Sequence, residues 1–282
     1  MSEFLIYKDS LNKLIEISHK AGKAIMDIYK TDFNFEKKSD QSPLTAADLK
    51  SHDIISDSLS KLSPKIPILS EESSNIPFSV RSNWDEYWLI DPLDGTKEFI
   101  NKNGEFTTNI ALVRKNKPIF GIIHAPAINQ TFWGGESIGS FFLEGDSNSD
   151  IEKINASTNL SQEIRMVTSR SHPNQKLKYY LEMLGEHKMV SIGSSLKFCM
   201  IARGAADCYL RLGPTSEWDT AAGDAIVKAA NGTVKTIHGL EINYNKSSNI
   251  LNPDFIAASN EELVIKIIDI IRNDFKKIDY ER

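Results

Sequence analysis

Residues 87–96 read Tyr87-Trp88-Leu89-Ile90-Asp91-Pro92-Leu93-Asp94-Gly95-Thr96. The first four are apolar, half of them aromatic, and read as a short buried strand. That strand runs straight into two aspartates, a proline, a glycine and a threonine. Carboxylates at the end of a buried strand are costly to desolvate unless something pairs with them. Ligands sit beyond strand ends in layered sheets, so the stretch places chemistry at a sheet edge. Taken singly, Asp94 reads as a helix N-cap and Gly95 as a turn residue. Those readings do not account for the six residues together.

Further acids stand at comparable places upstream and downstream. Thr45 and Asp48 are three apart before Ile54, Ile55, Leu59 and Leu62, which predicts a capping box with Thr45 as N-cap. Ile66-Pro67-Ile68-Leu69 reads as a strand and ends in Ser70-Glu71-Glu72. Trp218-Asp219 precedes a small-residue helix over 221–230 that closes at Asn231-Gly232. Carboxylates converging from these places would repel one another, and an oxygen-loving divalent cation such as Mg²⁺ resolves that repulsion.

Outward from these clusters, Leu11, Leu14, Ile15, Ser18, Gly22, Ile25 and Tyr29 recur at helical spacing and predict a helix over 3–30. Phe33 and Phe35 alternate with polar residues as in a strand. Runs at 109–113 and 119–123 flank Lys115-Asn116-Lys117-Pro118 as a hairpin. A second pair, 131–133 and 140–143, flanks Gly134-Gly135. Gly145 to Asp150 is the most linker-like stretch. It divides the chain into an N-terminal α+β subdomain, 1–148, carrying most of the acids, and a C-terminal α/β subdomain, 149–282, carrying Asp219. In the second part strands are expected at 164–168, 189–192, 207–211 and 255–258. Helices are expected at 176–184, 194–203 and 262–271. Antiparallel pairs followed by strand–helix alternation give an α+β class in layers, not a simple doubly wound sheet.

Composition narrows the function. In 282 residues, 33 Lys and Arg stand against 38 Asp and Glu, a net charge of −5, so no basic excess points to a nucleic-acid polymer. A small anionic ligand remains compatible, since local positive sites override net charge. Cys199 and Cys208 fit neither a zinc spacing nor a disulfide framework, which suits a reducing compartment. Phe4-Leu5-Ile6-Tyr7 is too short for a signal-peptide core, and no run approaches the roughly 20 apolar residues of a membrane span. The expected location is the cytoplasm.

Haloacid-dehalogenase-like phosphatases place one residue between two aspartates before Gly-Thr. Here Pro92 and Leu93 intervene, which predicts that the aspartates leave a common strand face and speaks against a phospho-aspartyl enzyme. Asp91-Pro92-Leu93-Asp94-Gly95-Thr96 instead resembles the signature of the lithium-sensitive, inositol-monophosphatase-like phosphatases. Ser70-Glu71-Glu72 resembles their second motif, and Trp218-Asp219-Thr220-Ala221-Ala222-Gly223 their third. Within that superfamily the sequence is most similar to the bacterial CysQ-type 3′(2′),5′-bisphosphate nucleotidases. The supporting residues are Lys97-Glu98-Phe99-Ile100, Thr168-Ser169-Arg170-Ser171-His172, Gly193-Ser194-Ser195-Leu196-Lys197-Phe198-Cys199 and Gly213-Pro214-Thr215-Ser216-Glu217.

The resemblance implies a layered αβαβα sandwich of the inositol-monophosphatase and fructose-bisphosphatase type. It implies Mg²⁺-dependent removal of the 3′-phosphate from adenosine 3′,5′-bisphosphate to give AMP and phosphate, in sulfur assimilation and nucleotide recycling. Two or three Mg²⁺ per site would be held by Glu71, Asp91, the Leu93 carbonyl, Asp94 and Asp219, with Asp91 bridging. Asp48 and Thr96, with Glu71 beside them, would orient or deprotonate the attacking water. Leu93, Asp94, Gly95, Thr96 and Asp219 would meet the cleaved phosphate. His172, Ser194, Lys197 and Arg211 would hold the nucleotide and its second phosphate. The alternatives are an inositol or sugar phosphate phosphatase of the same fold and, less favoured, a non-catalytic divalent-cation-binding protein. The resemblance also admits peripheral association with the cytoplasmic face of the inner membrane, and it leaves the oligomeric state open.

Overall fold

The computed structural model describes residues 8–32, 35–37, 43–145, 149–158, 163–169 and 175–280. The outer layer holds α1 (Lys8–Tyr29) and α2 (Ala46–Leu62). Residues 3–7 and Phe33 lie outside the described residues, so that helix is described from Lys8 and the neighbouring strand β1 only as Phe35–Lys37. β1 pairs with β2 (Pro43–Thr45), which delivers the chain to α2. The capping box at Thr45 forms as the sequence predicts: its hydroxyl accepts from the Ala47 amide at 3.1 Å.

Beneath these helices lies a seven-stranded sheet: β3 (Ile68–Ser70), β4 (Glu86–Asp94), β5 (Thr107–Arg114), β6 (Lys117–Ala125), β7 (Gln130–Gly135), β8 (Gly139–Glu144) and β9 (Ile151–Ile154), side by side in that order. β3 and β4 run parallel and the remaining neighbours antiparallel. β9 extends this sheet beyond the linker-like residues at 145–150. Lys115 and Asn116 both take positive φ, 49° and 65°, forming the expected tight hairpin. Gly134 and Gly135 lie inside β7 instead of forming the next turn. A Cβ on Gly134 would come within 3.1 Å of the Ile226 Cα, so the glycine serves helix packing there.

Strand alternation builds two cores at once. Trp88, Ile90, Ile110, Leu112, Phe120 and Ile122 face α1 and α2, meeting Leu14, Ile15, Ile55 and Leu59. Burying each such side chain is worth about 1.5–3 kcal/mol. Tyr87, Leu89, Ala111, Val113 and Ile123 face the other way, onto α6 (Leu196–Ala202) and α7 (Glu217–Ala229). Gly121 permits the approach of α7, since a Cβ there would lie 2.3 Å from the Ala222 carbonyl.

A five-stranded sheet forms the fourth layer, in the order β11 (His187–Ile192), β10 (Ile164–Ser169), β12 (Cys208–Arg211), β14 (Phe255–Ala258), β13 (Thr233–Thr236). Its odd residues Val167, Tyr209, Phe255 and Ala257 face α6 and α7. Its even residues Met166, Cys208, Leu210 and Ile256 face α5 (Gln175–Leu184) and α8 (Glu261–Tyr280), the last layer. The result is the expected αβαβα sandwich. Among the described residues no helix is long and apolar enough to cross a membrane.

Two expected helices shift. The helix expected over 194–203 begins at Leu196, because Ser194 takes a left-handed φ of 45° and Ser195 is the N-cap. α7 begins at Glu217, so Asp219 sits in its first turn, where its carboxylate accepts from the Ser216 amide at 2.8 Å. The short helix that Asp94 suggested forms as α4 (Thr96–Ile100), while β9, β13, α3 (Phe78–Arg81) and the 3₁₀ turn Glu71–Ser73 are short elements that the sequence reading missed.

Candidate active site

The C-terminal end of β4 carries the signature. Asp91 pairs with Asn109 and Asp94 with Thr107, so three steps along β4 match two along β5 and the strand bulges between the aspartates. The three-residue spacing predicts opposite faces. The bulge corrects that: both acids stand opposite same-face residues of β5, on the side toward α6 and α7. Asp91 is nevertheless sequestered, 1% exposed, with Oδ1 accepting the Leu93 amide at 3.1 Å. Its burial does not present it as a nucleophile. Asp94 ends β4 and does not cap α4; the N-cap is Gly95, whose φ of 89° suits only glycine without strain.

α2 and the 3₁₀ turn bring two more acids to this end. Asp48 is buried in the first turn of α2. Its Oδ2 accepts from the Thr45 amide at 2.7 Å and the Thr45 hydroxyl at 2.6 Å, and its Oδ1 accepts from the Thr96 hydroxyl at 3.3 Å. Thr96 also reaches the Leu93 carbonyl at 3.3 Å. Ser51 on the same helix donates to the Pro92 carbonyl at 2.7 Å, fixing the bulge. Glu71 follows directly on β3, which lies parallel beside β4 with Ser70 opposite Ile90.

The electrostatics record that these acids meet. Burial, then the charges of Glu71, Asp94 and Asp219, holds the Asp91 carboxyl well above the usual carboxylate range. Burial, then Asp94 and Glu71, does the same to Asp219. Asp94 is raised by burial, against the opposing pull of Lys197 and hydrogen bonds from Ser195 and Asn109. The donor set expected from the sequence offers oxygen alone, four carboxylates and the Leu93 carbonyl, which fits a hard divalent cation such as Mg²⁺. Asp91, Asp94 and Asp219 each give a carboxylate oxygen to a protein donor, and among the described residues no three acidic, His or Cys side chains close on one point as a ready ligand set.

From the acids a cleft of about 250 Å³ opens between β4–α4 and the α6–α7 layer. Asp94, Gly95, Thr96 and Asp219 line it together with Ser194, Lys197 and Arg211. Lys197 is buried beneath the floor, its Nζ donating to the Ser194 carbonyl at 2.5 Å. Burial lowers its ammonium to about 8, with Asp94 pulling the other way and Arg211 adding to the fall. Arg211 ends β12 and donates from Nη2 to the Pro214 carbonyl at 2.8 Å, while its buried Nε has no hydrogen-bond partner among the described residues. His172 lies outside the described residues. Leu93 is buried behind the signature.

The sequence reading passed over Asn109, Thr107 and Ser195. Asn109 donates to the Ser195 hydroxyl at 2.7 Å, and Ser195 donates to Asp94 Oδ2 at 2.6 Å. Ser195 lies in the quoted 193–199 stretch, but its role is not marked there, because the contact joins β5 to a turn 86 residues away.

The sequence pattern of the inositol monophosphatase family matches residues 8–273. The 3′(2′),5′-bisphosphate nucleotidase CysQ of Salmonella typhimurium is 44% identical over 247 residues, 87% of this chain and 98% of that protein. The protein of the same name from Haemophilus influenzae is 36% identical, covering 89% of this chain and 93% of its own. The crystal structure of CysQ from Bacteroides thetaiotaomicron, a bacterial member of the inositol monophosphatase family, superposes with a TM-score of 0.79 at 36% identity, covering 92% of this chain and 100% of that one. An IMPase of Thermotoga maritima gives 0.77 at 28% identity, covering 94% and 99%.

Proposed function

The chain belongs to the inositol monophosphatase family, and on that premise we propose that it is a Mg²⁺-dependent 3′(2′),5′-bisphosphate nucleotidase. It removes the 3′-phosphate of adenosine 3′,5′-bisphosphate and releases AMP and phosphate. The observation that supports this reading is one cleft lined by both kinds of group, the carboxylates Asp94 and Asp219 and the cations Lys197 and Arg211. An inositol monophosphate would bring no second phosphate for Lys197 and Arg211 to hold. The names of the relatives at 44% and 36% identity support the same choice. The activity would return AMP from a by-product of sulfur assimilation. The cytoplasm is the location that fits, with both thiols, Cys199 and Cys208, buried and unpaired by a disulfide. Nothing among the described residues supports peripheral association with a membrane.

In this reading Glu71, Asp91 and the Leu93 carbonyl would hold one cation, and Asp91, Asp94 and Asp219 a second. Mg²⁺, when bound, supplies Lewis acidity for the attacking water and for the departing oxygen. The chain supplies the rest. Thr96 donates to Asp48, which turns the hydroxyl's lone pairs outward to accept from a water, and Asp48 is the proton acceptor behind it. The Gly95 and Thr96 amides start a helix of five residues, so they serve a phosphate by direct donation more than by a macrodipole. Lys197 offers a point charge and Arg211 a planar fork to the phosphate that stays. Ser194 and His172 would flank the nucleoside.

The test is phosphate release from adenosine 3′,5′-bisphosphate, 3′-AMP, inositol 1-phosphate and a sugar phosphate, each with and without Mg²⁺. A strong preference for the bisphosphate, dependent on Mg²⁺, is expected. Equal or greater turnover of inositol or sugar phosphates would replace this reading with that alternative. No turnover of any of them would favour a non-catalytic cation-binding protein.

A further inference from the structure

Ser195 is a helix N-cap that caps nothing. It precedes α6 with φ −70° and ψ −2°, and its hydroxyl takes no backbone amide of the helix. Serine at this position ordinarily bonds the second or third amide of the helix. Here the hydroxyl is spent elsewhere: it donates to Asp94 Oδ2 at 2.6 Å and lies 3.0 Å from the Asp219 carbonyl oxygen. Ser195 is 2% exposed, so its use is set by the protein and not by solvent.

The direction of this bond is fixed from behind. The Thr107 hydroxyl lies 3.1 Å from Asn109 Oδ1 and 3.3 Å from Ser194 Oγ, and with its proton on the nearer oxygen Asn109 Nδ2 faces Ser195 Oγ at 2.7 Å. Nδ2 also lies 3.5 Å from Asp94 Oδ2. The Ser195 oxygen therefore accepts from Asn109, and its one proton goes to the shorter contact, the carboxylate. Thr107 and Asn109 are buried as well, so the chain Thr107 to Asn109 to Ser195 to Asp94 has no solvent competitor. The β4 bulge makes it possible, because it sets Thr107 opposite Asp94 and Asn109 opposite Asp91.

We infer that Ser195, driven by Asn109 and Thr107, is a positioning residue that fixes Asp94 by its Oδ2 and presents Asp94 Oδ1 to a divalent cation. The inference rests on the cation reading of the preceding section. Asp94 belongs to the first sheet, and Ser195, at the head of α6 in the middle helical layer, commits its proton to it. With Oδ2 engaged, Asp94 cannot turn to face the protein with both oxygens. Partners of this kind around ligating groups typically change cation affinity by about 10- to 100-fold when removed.

The test reads Mg²⁺ binding without turnover. The Mg²⁺ concentration giving half of the full thermal stabilisation is measured for wild type, Ser195→Ala, Ser195→Thr and Asn109→Leu. For Ser195→Ala the midpoint is expected to rise about 10-fold or more. The concentration for half-maximal rate should rise in parallel, with the rate at saturating Mg²⁺ within a few-fold of wild type. Ser195→Thr keeps the hydroxyl and should restore the wild-type midpoint. Asn109→Leu removes the donor behind Ser195 without touching α6 and should move the midpoint the same way. A purely structural role would lower the Mg²⁺-free melting temperature and leave the midpoints unchanged, and that result in Ser195→Ala or Asn109→Leu overturns the inference. If wild type itself shows no Mg²⁺ stabilisation, the cation reading fails and this inference falls with it.

Discussion

The Thr96 hydroxyl lies 3.3 Å from Oδ1 of Asp48, joining the signature at the end of β4 to the first turn of α2 across 48 residues of sequence. Asp48 holds its other oxygen on the Thr45 amide and hydroxyl, so the carboxylate is locked by its own helix cap and aimed by it. Asparagine can keep the oxygen that faces Thr45 but turns an NH₂ toward Thr96, reversing that hydroxyl. Asp48→Asn is therefore expected to lower kcat by about 100-fold or more, within the usual range for general acid–base groups. Circular dichroism should stay unchanged, since the cap survives. Thr96→Ala should fall similarly, while Thr96→Ser, which keeps the hydroxyl, retains most activity. Near-normal kcat in folded Asp48→Asn would remove both residues from the chemistry.

Much of this was readable from one sequence, for local physical reasons. The capping box at Thr45 and Asp48 and the left-handed Asn231 closing α7, φ 65°, are encoded within a few residues. Apolar runs such as 87–90 and 109–113 predict strands, and their alternation decides which core each residue enters. The bulge was not readable: counting residues sends Asp91 and Asp94 to opposite faces, and only the pairing with Asn109 and Thr107 restores them to one. Ser195 reads as a helix residue, and its real use depends on β5. Gly134 and Gly135 read as a turn, and both lie inside β7, where the approach of α7 explains Gly134 and the Ile119 carbonyl of β6 explains Gly135. The four-residue strands β9 and β13 carry too little pattern to stand out.

Cation binding should appear as opposite effects at Asp91. Burial and three neighbouring acids disfavour its charged form, so the Mg²⁺-free protein carries that repulsion in its folded state. Asp91→Asn is expected to raise the melting temperature without Mg²⁺, at about 2–4 °C per kcal/mol relieved. The same change should nearly abolish turnover, because one proposed ligand to both cations is lost. In wild type, Mg²⁺ should raise the melting temperature by mass action, about 2.7 kcal/mol at a hundredfold excess over Kd. A scan of both proteins across a Mg²⁺ titration checks all of these, and an Asp91→Asn protein with normal kcat defeats the bridging assignment.

Lys197 gives a pH dependence with a definite sign. Burial lowers its ammonium to about 8, so it is mostly charged at neutral pH and loses its charge as pH rises through that value. If it holds the phosphate that stays, kcat/KM for adenosine 3′,5′-bisphosphate should fall above about pH 8 while kcat/KM for 3′-AMP does not fall with it. Arginine stays charged throughout this range. Lys197→Arg, where folded, should remove the alkaline fall specific to the bisphosphate. Parallel profiles for the two substrates in wild type would show that Lys197 has no part in discriminating them.

Arg211 provides the sharpest test of specificity. It ends β12 at the rim of the cleft, tethered by one guanidinium nitrogen to the Pro214 carbonyl at 2.8 Å, with Nε unpartnered among the described residues. A charge-assisted hydrogen bond is worth roughly 1.5–3 kcal/mol. Arg211→Ala should therefore cost about 10- to 150-fold in kcat/KM for adenosine 3′,5′-bisphosphate. The same change should cost 3′-AMP only a few-fold, because its single phosphate is the one at the acids. The contact is remote from the reacting phosphorus, so part of the loss should appear in kcat as well as in KM. Arginine stems also pack, and circular dichroism with the Mg²⁺-free melting temperature establishes that the variant is folded. An equal loss on both substrates would move Arg211 out of the specificity site. It would then act on the phosphate at the acids, or hold the turn at Pro214 that leads into α7 and Asp219.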